Sequence, residues 1–394
     1  MSLAHIQVTV SPHNSHGEEL LKIIWNYRPE PAPPYFVSAK TLKEKGEKVR
    51  SALQRLVDRA MENDGSRGYG KELRELAKAG HELYEALFHE IEGFDASIIK
   101  TWLDRERAAQ ANNGVQCQIT FVVETLLHIP WGLIYDGSLE MLTDLSDQNS
   151  KEHYKDFWSL KFLVCCVYRR ILPQWLTVSN YTDGNGVLSV INKSTFDNAV
   201  SDLILPQDEV LKWLDDTFGS PLTSSDDFFE RWKSSGATCR LLYFYCHGSH
   251  ETIELHSDDR ITITDFRERT RLSDPAPQST CLVFLNGCNT AAGSEKGTFL
   301  AATSERVFCG FVGTETKVPD LFALRFGLAF LYYFLHEGWP IFKTMDRLRR
   351  QHWPLGLVYS SFCSPLVGFT PVGARLGIDI ADNFSQLPLG TKPM

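Results

Sequence analysis

Leu241-Leu242-Tyr243-Phe244-Tyr245-Cys246-His247-Gly248 and Cys281-Leu282-Val283-Phe284-Leu285-Asn286-Gly287-Cys288-Asn289-Thr290 follow one plan: a continuous apolar run of strand length, then a turn carrying a reactive side chain. Continuous runs of this kind suit strands covered on both faces by helices. In open sheets of such strands, ligands gather in the crevice beyond the carboxyl ends. If the two strands are parallel neighbours, His247 and Cys288 share that crevice, and the chain between them is long enough for one crossover connection.

Similar runs recur at residues 162–167, 187–191 and 308–312, and apolar residues at helical spacing mark 194–218, 321–336 and 341–351. The alternation predicts an α/β fold with an open, mostly parallel sheet flanked by helices. Upstream, residues 5–10 alternate like a strand, and 28–34 carry Pro29, Pro31, Pro33 and Pro34 and must be extended or turning. This places an N-terminal extension at 1–70, joined through the prolines to the body. Residues 40–61, 71–88 and 96–108 read as helices, and 117–136 as two strands joined at Pro130.

Composition narrows the function classes. The 394 residues are 43% hydrophobic and 23% charged, as in globular proteins, and the net charge of −9 is scattered, so no basic surface is offered to nucleic acid. Most of the nine cysteines lie in apolar runs and read as buried reduced thiols, which points to a cytoplasmic protein. No secretory leader is visible in residues 1–10. The longest apolar stretch, 321–335, is broken by Arg325 and Gly327 and is too short to span a bilayer, so no membrane insertion is expected. Neither a phosphate-cradling nor a dinucleotide glycine motif is present, so no cofactor is expected. His81, Glu82, Glu85 and His89 lack metal-protease spacing, and His250 and His256 read as loop residues, so no metal is expected.

A cysteine with a pKa near 8.5 is only about 3% thiolate at neutral pH, so a nucleophilic Cys288 needs a base, and His247 is the candidate. The backbone N–H groups of Gly248 and Cys288 are candidates for stabilising an oxyanion. A lone cysteine after a strand is ordinarily a small core residue. A histidine and a cysteine at successive strand ends favour chemistry.

Tyr243-Phe244-Tyr245-Cys246-His247-Gly248 and Phe284-Leu285-Asn286-Gly287-Cys288-Asn289-Thr290 resemble the histidine and cysteine motifs of CHAT domains, caspase-like peptidases related to separase. Ile129-Pro130-Trp131, Ile263-Thr264-Asp265-Phe266, Phe311-Val312-Gly313-Thr314 and Val318-Pro319-Asp320 keep the family's order, so the resemblance runs over roughly residues 71–371. It implies a caspase-like fold, with a non-catalytic half at 71–180 and a catalytic half with a C-terminal tail at 181–394. It also implies a His247–Cys288 dyad cleaving a protein substrate. The family suggests regulated proteolysis in bacterial defence, with a gasdermin-like pore former as candidate substrate and a separate activating partner. The chain departs from the pattern at Gly132, where the family often has Glu, and at Thr316-Lys317, where it often has Trp-Pro. Asn286 stands where basic-specific relatives carry an acid. Asn286, Asp136, Glu315 and Asp320 are the candidate substrate-binding residues, although Asp320 also reads as the N-cap of the helix beginning at Leu321. Two rivals remain: a catalytically silent scaffold with this fold, and acyl transfer by the same thiol.

Overall fold

The computed structural model describes residues 5–15, 17–27, 30–62, 69–88, 95–113, 117–125, 127–142, 154–168, 186–203, 212, 220–235, 238–271, 281–292, 297–303, 308–364 and 367–368. The chain divides into two compact units, Met1–Arg169 and Arg170–Met394.

In the first unit, strands β1 (His5–Ser15) and β2 (Glu18–Tyr27) form an antiparallel hairpin. It turns at Gly17, whose φ of +84° suits a residue without a Cβ. Their alternation buries Ile6, Val8 and Val10 with Leu21, Ile23 and Trp25. β1 also pairs in parallel with β5 (Gln118–Val123), which pairs in parallel with β6 (Leu163–Tyr168). The short strands β3 (Glu30–Pro31) and β4 (Tyr35–Ser38) both return to β2. The first strand is therefore an interior member of this sheet, where the sequence had suggested an appendage. Its partner lies more than a hundred residues away, and local periodicity carries no trace of such a pairing. Helices α1 (Ala39–Glu62), α2 (Gly70–Phe88) and α3 (Ser97–Asn113) fall where the helical spacing placed them. The second strand expected after Pro130 is instead a helical turn, Trp131–Leu133. The indole of Trp131 stacks on Phe121 of β5 at 4.2 Å, and this packing outweighs the local β-like pattern.

The second unit is built on a five-stranded sheet in the order β14-β13-β12-β8-β7. Here β7 is Val187–Ile191, β8 Leu241–Tyr245, β12 Cys281–Asn286, β13 Phe308–Thr314 and β14 Tyr359–Cys363. All neighbours are parallel except β14, which closes the edge antiparallel to β13. Every residue of β7, β8, β12 and β13 is buried, as their continuous apolar runs require. The helices of this unit are α4 (Lys193–Ser201), α5 (Ser225–Ser235), α6 (Ile263–Arg269), α7 (Phe299–Thr303), α8 (Asp320–Leu331) and α9 (Ile341–Gln351). Of the helix expected at 194–218, the part after 203 lies outside the described residues except position 212.

Between β8 and α6 the chain makes a small antiparallel sheet that the sequence reading took for loop. It consists of β9 (His247–Gly248), β10 (Thr252–His256) and β11 (Asp259–Thr262). Thr262 and Asp265 then close a reciprocal capping box on α6. Phe266 is thereby set against Phe299 and Phe308, with ring centroids at 5.6 and 5.5 Å. No described helix is long and apolar enough to cross a membrane.

Candidate active site

Register sets the strands that precede the two reactive residues side by side. Tyr245 of β8 is paired with Asn286 of β12. His247 and Cys288 each follow two residues further on, past the ends of these adjacent parallel strands. The chains still run side by side past the pairing, since the Cys246 N–H donates to the Asn286 carbonyl at 3.4 Å. Gly287 is needed for that approach: a Cβ there would stand 2.7 Å from the Cys246 carbonyl oxygen.

The turn bearing Cys288 is tied to the end of β13 by two fully buried threonines. Thr290 Oγ1 donates to the Leu285 carbonyl at 2.9 Å, and Thr314 Oγ1 donates to the Gly287 carbonyl at 2.5 Å. The Asn289 N–H donates to the Thr316 carbonyl at 3.1 Å, and the Ala291 N–H to the Thr314 carbonyl at 2.8 Å. Asn289 itself takes φ +56°, a left-handed conformation that non-glycine residues adopt at a cost, Asn less than most. The turn thus holds the cysteine rigidly just beyond the strand.

Cys288 is half-buried, whereas the other eight cysteines are buried. Its Sγ accepts from the Val318 N–H at 3.5 Å and lies 3.6 Å from the Val318 carbonyl. Burial pushes the thiol pKa up, and the carboxylate of Asp320 adds to this, while the Val318 N–H and Lys317 oppose it. The resting sulfur is therefore a thiol, and its activation depends on a base.

His247 is exposed, and its Nε2 lies 2.8 Å from Thr195 Oγ1. Thr195 is 6% exposed and sits in the first turn of α4. Asn192, the N-cap of that helix, fixes its position. Asn192 Oδ1 accepts the Thr195 N–H at 3.1 Å, its Nδ2 donates to the Glu254 carbonyl at 3.2 Å, and its N–H donates to the Tyr245 carbonyl at 2.8 Å. Glu254 is the register partner of His247 in β10, so one cap braces the strand leading to the imidazole and the strand paired beside it. Sequence reasoning missed Thr195. The available signal was Asn192-x-x-Thr195, a helix cap immediately past a third strand end in the same sheet.

Asp320 is electrostatically coupled to both partners: its charge acts on Cys288, and His247 acts on it. Burial raises its carboxyl pKa, and His247 pulls the other way. It is not the N-cap. Pro319 holds that position, and Asp320 opens the first turn of α8 with its carbonyl accepting from Tyr245 Oη at 2.9 Å. The capping expectation failed because Pro319 already terminates the helix, leaving the carboxylate available to the site.

Two other candidate substrate-binding residues point inward. Asn286 is 1% exposed; its Nδ2 donates to the Ala323 carbonyl at 2.8 Å and to Tyr243 Oη at 3.2 Å, and its Oδ1 accepts from Tyr359 Oη at 2.6 Å. Its side chain anchors α8 and β14 to β12, leaving no free amide proton for a substrate. Glu315, also 1% exposed, accepts from Ser360 Oγ at 2.5 Å and is committed to the β13–β14 junction. Asp136 belongs to the first unit, where Lys161 Nζ donates to its two oxygens at 2.7 and 2.9 Å. Gly248 pairs with Ile253 of β10, and a Cβ on it would come within 3.1 Å of the Thr252 carbonyl oxygen.

No family model matches the chain, and no curated protein does either. Among solved structures the chain is similar to the Saccharomyces cerevisiae separase–securin complex. A crystal structure of that complex at 2.6 Å resolution matches with a TM-score of 0.53 and 11% identity, covering 93% of this chain and 30% of that one. A second, at 3.0 Å, matches with a TM-score of 0.51, again at 11% identity and the same coverage. The chain thus spans about a third of the length of the structures it resembles. The likeness, with parallel sheets flanked by helices, supports a caspase-like α/β fold.

Proposed function

We propose that the protein is a cysteine endopeptidase using Cys288 as nucleophile and His247 as its base. The observation that carries this reading is the parallel pairing of β8 and β12, since each reactive residue follows one of these adjacent strands by two residues. Separase-like architecture supports it independently. Catalysis belongs to the second unit, and the first unit, in which β1–β4 join residues 71–169, is the non-catalytic half.

In this mechanism His247 takes the Cys288 proton as Sγ bonds to the scissile carbonyl carbon. Negative charge collects on the carbonyl oxygen, facing the N–H groups of Cys288 and Gly248. Collapse breaks the C–N bond, with His247 returning the proton to the leaving amine, and water then hydrolyses the thioester. Thr195 holds the imidazole in place throughout. Asp320 supplies negative charge beside the sulfur and favours a cationic side chain before the cut. A protein substrate fits this chemistry, with a gasdermin-like pore former as the candidate from the CHAT resemblance and a bacterial defence pathway as the setting. A separate protein activator is the partner that the CHAT resemblance suggests, and the structural neighbour is likewise a complex with a protein partner.

Cleavage of a proteome-derived peptide library tests the reading. Wild-type protein is expected to cut at a defined residue, and Cys288→Ala to bind the same peptides without cutting. Binding without cleavage by the wild type identifies a scaffold instead.

A further inference from the structure

We propose that Arg325 and His352 form a binding site for a small oxyanion, a phosphate or carboxylate group, buried at the junction of α8 and α9. Arg325 is 4% exposed and His352 is 6% exposed. Among the described residues, the Arg325 Nε and Nη2 and the His352 Nε2 have no hydrogen-bond partner. Arginine is almost never fully buried unless paired, because a desolvated guanidinium without a counter-charge is strongly destabilising.

Three further observations make this pair a site. First, Nε and Nη2 are adjoining nitrogens on one side of the guanidinium, the pair that grips two oxygens of one anion in parallel. Second, Phe322, Arg325 and Phe326 share one face of α8 by their spacing, and the rings of Phe322 and Phe326 lie 5.7 and 5.8 Å from the His352 imidazole. The same helix face therefore presents the guanidinium towards His352, whose pKa burial and the Arg325 charge push down to about 4. Third, the surroundings are aromatic, with Phe326 stacked on Tyr359 at 3.7 Å, so any anion admitted is held in a poorly screened setting.

Occupancy bears on the candidate active site through one short path. α8 begins at Asp320, its Ala323 carbonyl accepts from Asn286, and Tyr359 stacks on the Phe326 ring and donates to the same asparagine. An anion that neutralises Arg325 stabilises this helix and the strand leading to Cys288. The binding claim itself does not depend on the peptidase reading.

The test uses the full-length protein in an anion-poor buffer, with thermal melting and calorimetric titration against inorganic phosphate and, separately, acetate. Wild type is expected to melt higher as one of the two anions is raised through the millimolar range, and the responding anion defines the ligand class. Arg325→Met removes the charge at similar length. It is expected to raise the melting temperature by about 2–4 °C without anion and to abolish the response. Arg325→Lys keeps a charge but loses the paired donors, and is expected to bind at least tenfold more weakly. No response of the wild type to either anion overturns the proposal. So does a retained response in Arg325→Met, or an Arg325→Met protein that melts below the wild type or fails to fold.

Discussion

Replacing Asn286 by alanine separates a structural asparagine from a substrate-binding one, although it stands only two residues from the proposed nucleophile. The substitution deletes three buried hydrogen bonds, to Ala323, Tyr243 and Tyr359. At about 1 kcal/mol net each, these amount to about 3 kcal/mol. Stranding the buried Tyr359 and Tyr243 hydroxyls adds to this, and a loss of about 3–5 kcal/mol follows. Native-state hydrogen exchange resolved by peptide mass spectrometry reads the effect where it should fall. Since 1.4 kcal/mol is a factor of ten, the β12 amides are expected to lose protection by about a hundredfold or more, while β1 and β5 of the first unit keep theirs. Exchange within about threefold of wild type, together with a raised KM for peptide cleavage, would refute the reasoning and return Asn286 to the pocket wall.

Other substitutions probe the neighbouring groups. Thr195→Val removes the hydroxyl beside His247 Nε2 and is expected to lower kcat about ten- to a hundredfold with KM unchanged, while Thr195→Ser restores activity. Asp320→Asn is expected to cut kcat/KM for peptides with Lys or Arg before the scissile bond by about ten- to a hundredfold, while alkylation of Cys288 becomes faster, because the Asp320 charge raises the thiol pKa. His352 makes the fold acid-sensitive. Its pKa is lowered from 6.5 to about 4 in the folded protein, so between those values the unfolded chain binds the extra proton. Stability is complete above pH 6.5 and falls as pH drops towards 4, by about 3 kcal/mol in all. Urea midpoints at pH 7.5 and 4.5 in anion-poor buffer should therefore diverge more for wild type than for His352→Phe.

The parts of this molecule legible in its sequence are those governed by local apolar density. β8 and β12 announce themselves because strands buried on both faces cannot alternate, and His247 and Cys288 stand out as chemistry placed just past them. What escaped notice depends on distant partners or on the direction in which a polar side chain turns. β1 and β5 read as separate strands, yet nothing local shows that Ile6 pairs with Ile119. The β10–β11 hairpin escaped because its pattern is short and lies among polar residues. Asn286 and Glu315 look like surface polar residues near a site, but both are buried and turn inward to Tyr359 and Ser360, a direction that local sequence does not encode. Thr195 was missed for the converse reason: a threonine in a first helical turn is common, and only the fold brings it to an imidazole 52 residues along the chain.

The central claim is that an imidazole activates this thiol, and the rate of covalent capture tests it most directly. A peptide-based electrophile is expected to modify Cys288 alone among the nine cysteines, with a rate reduced about a hundredfold or more by His247→Ala. Capture of Cys288 at the same rate with and without His247 would contradict the account, since mere exposure would then explain the labelling.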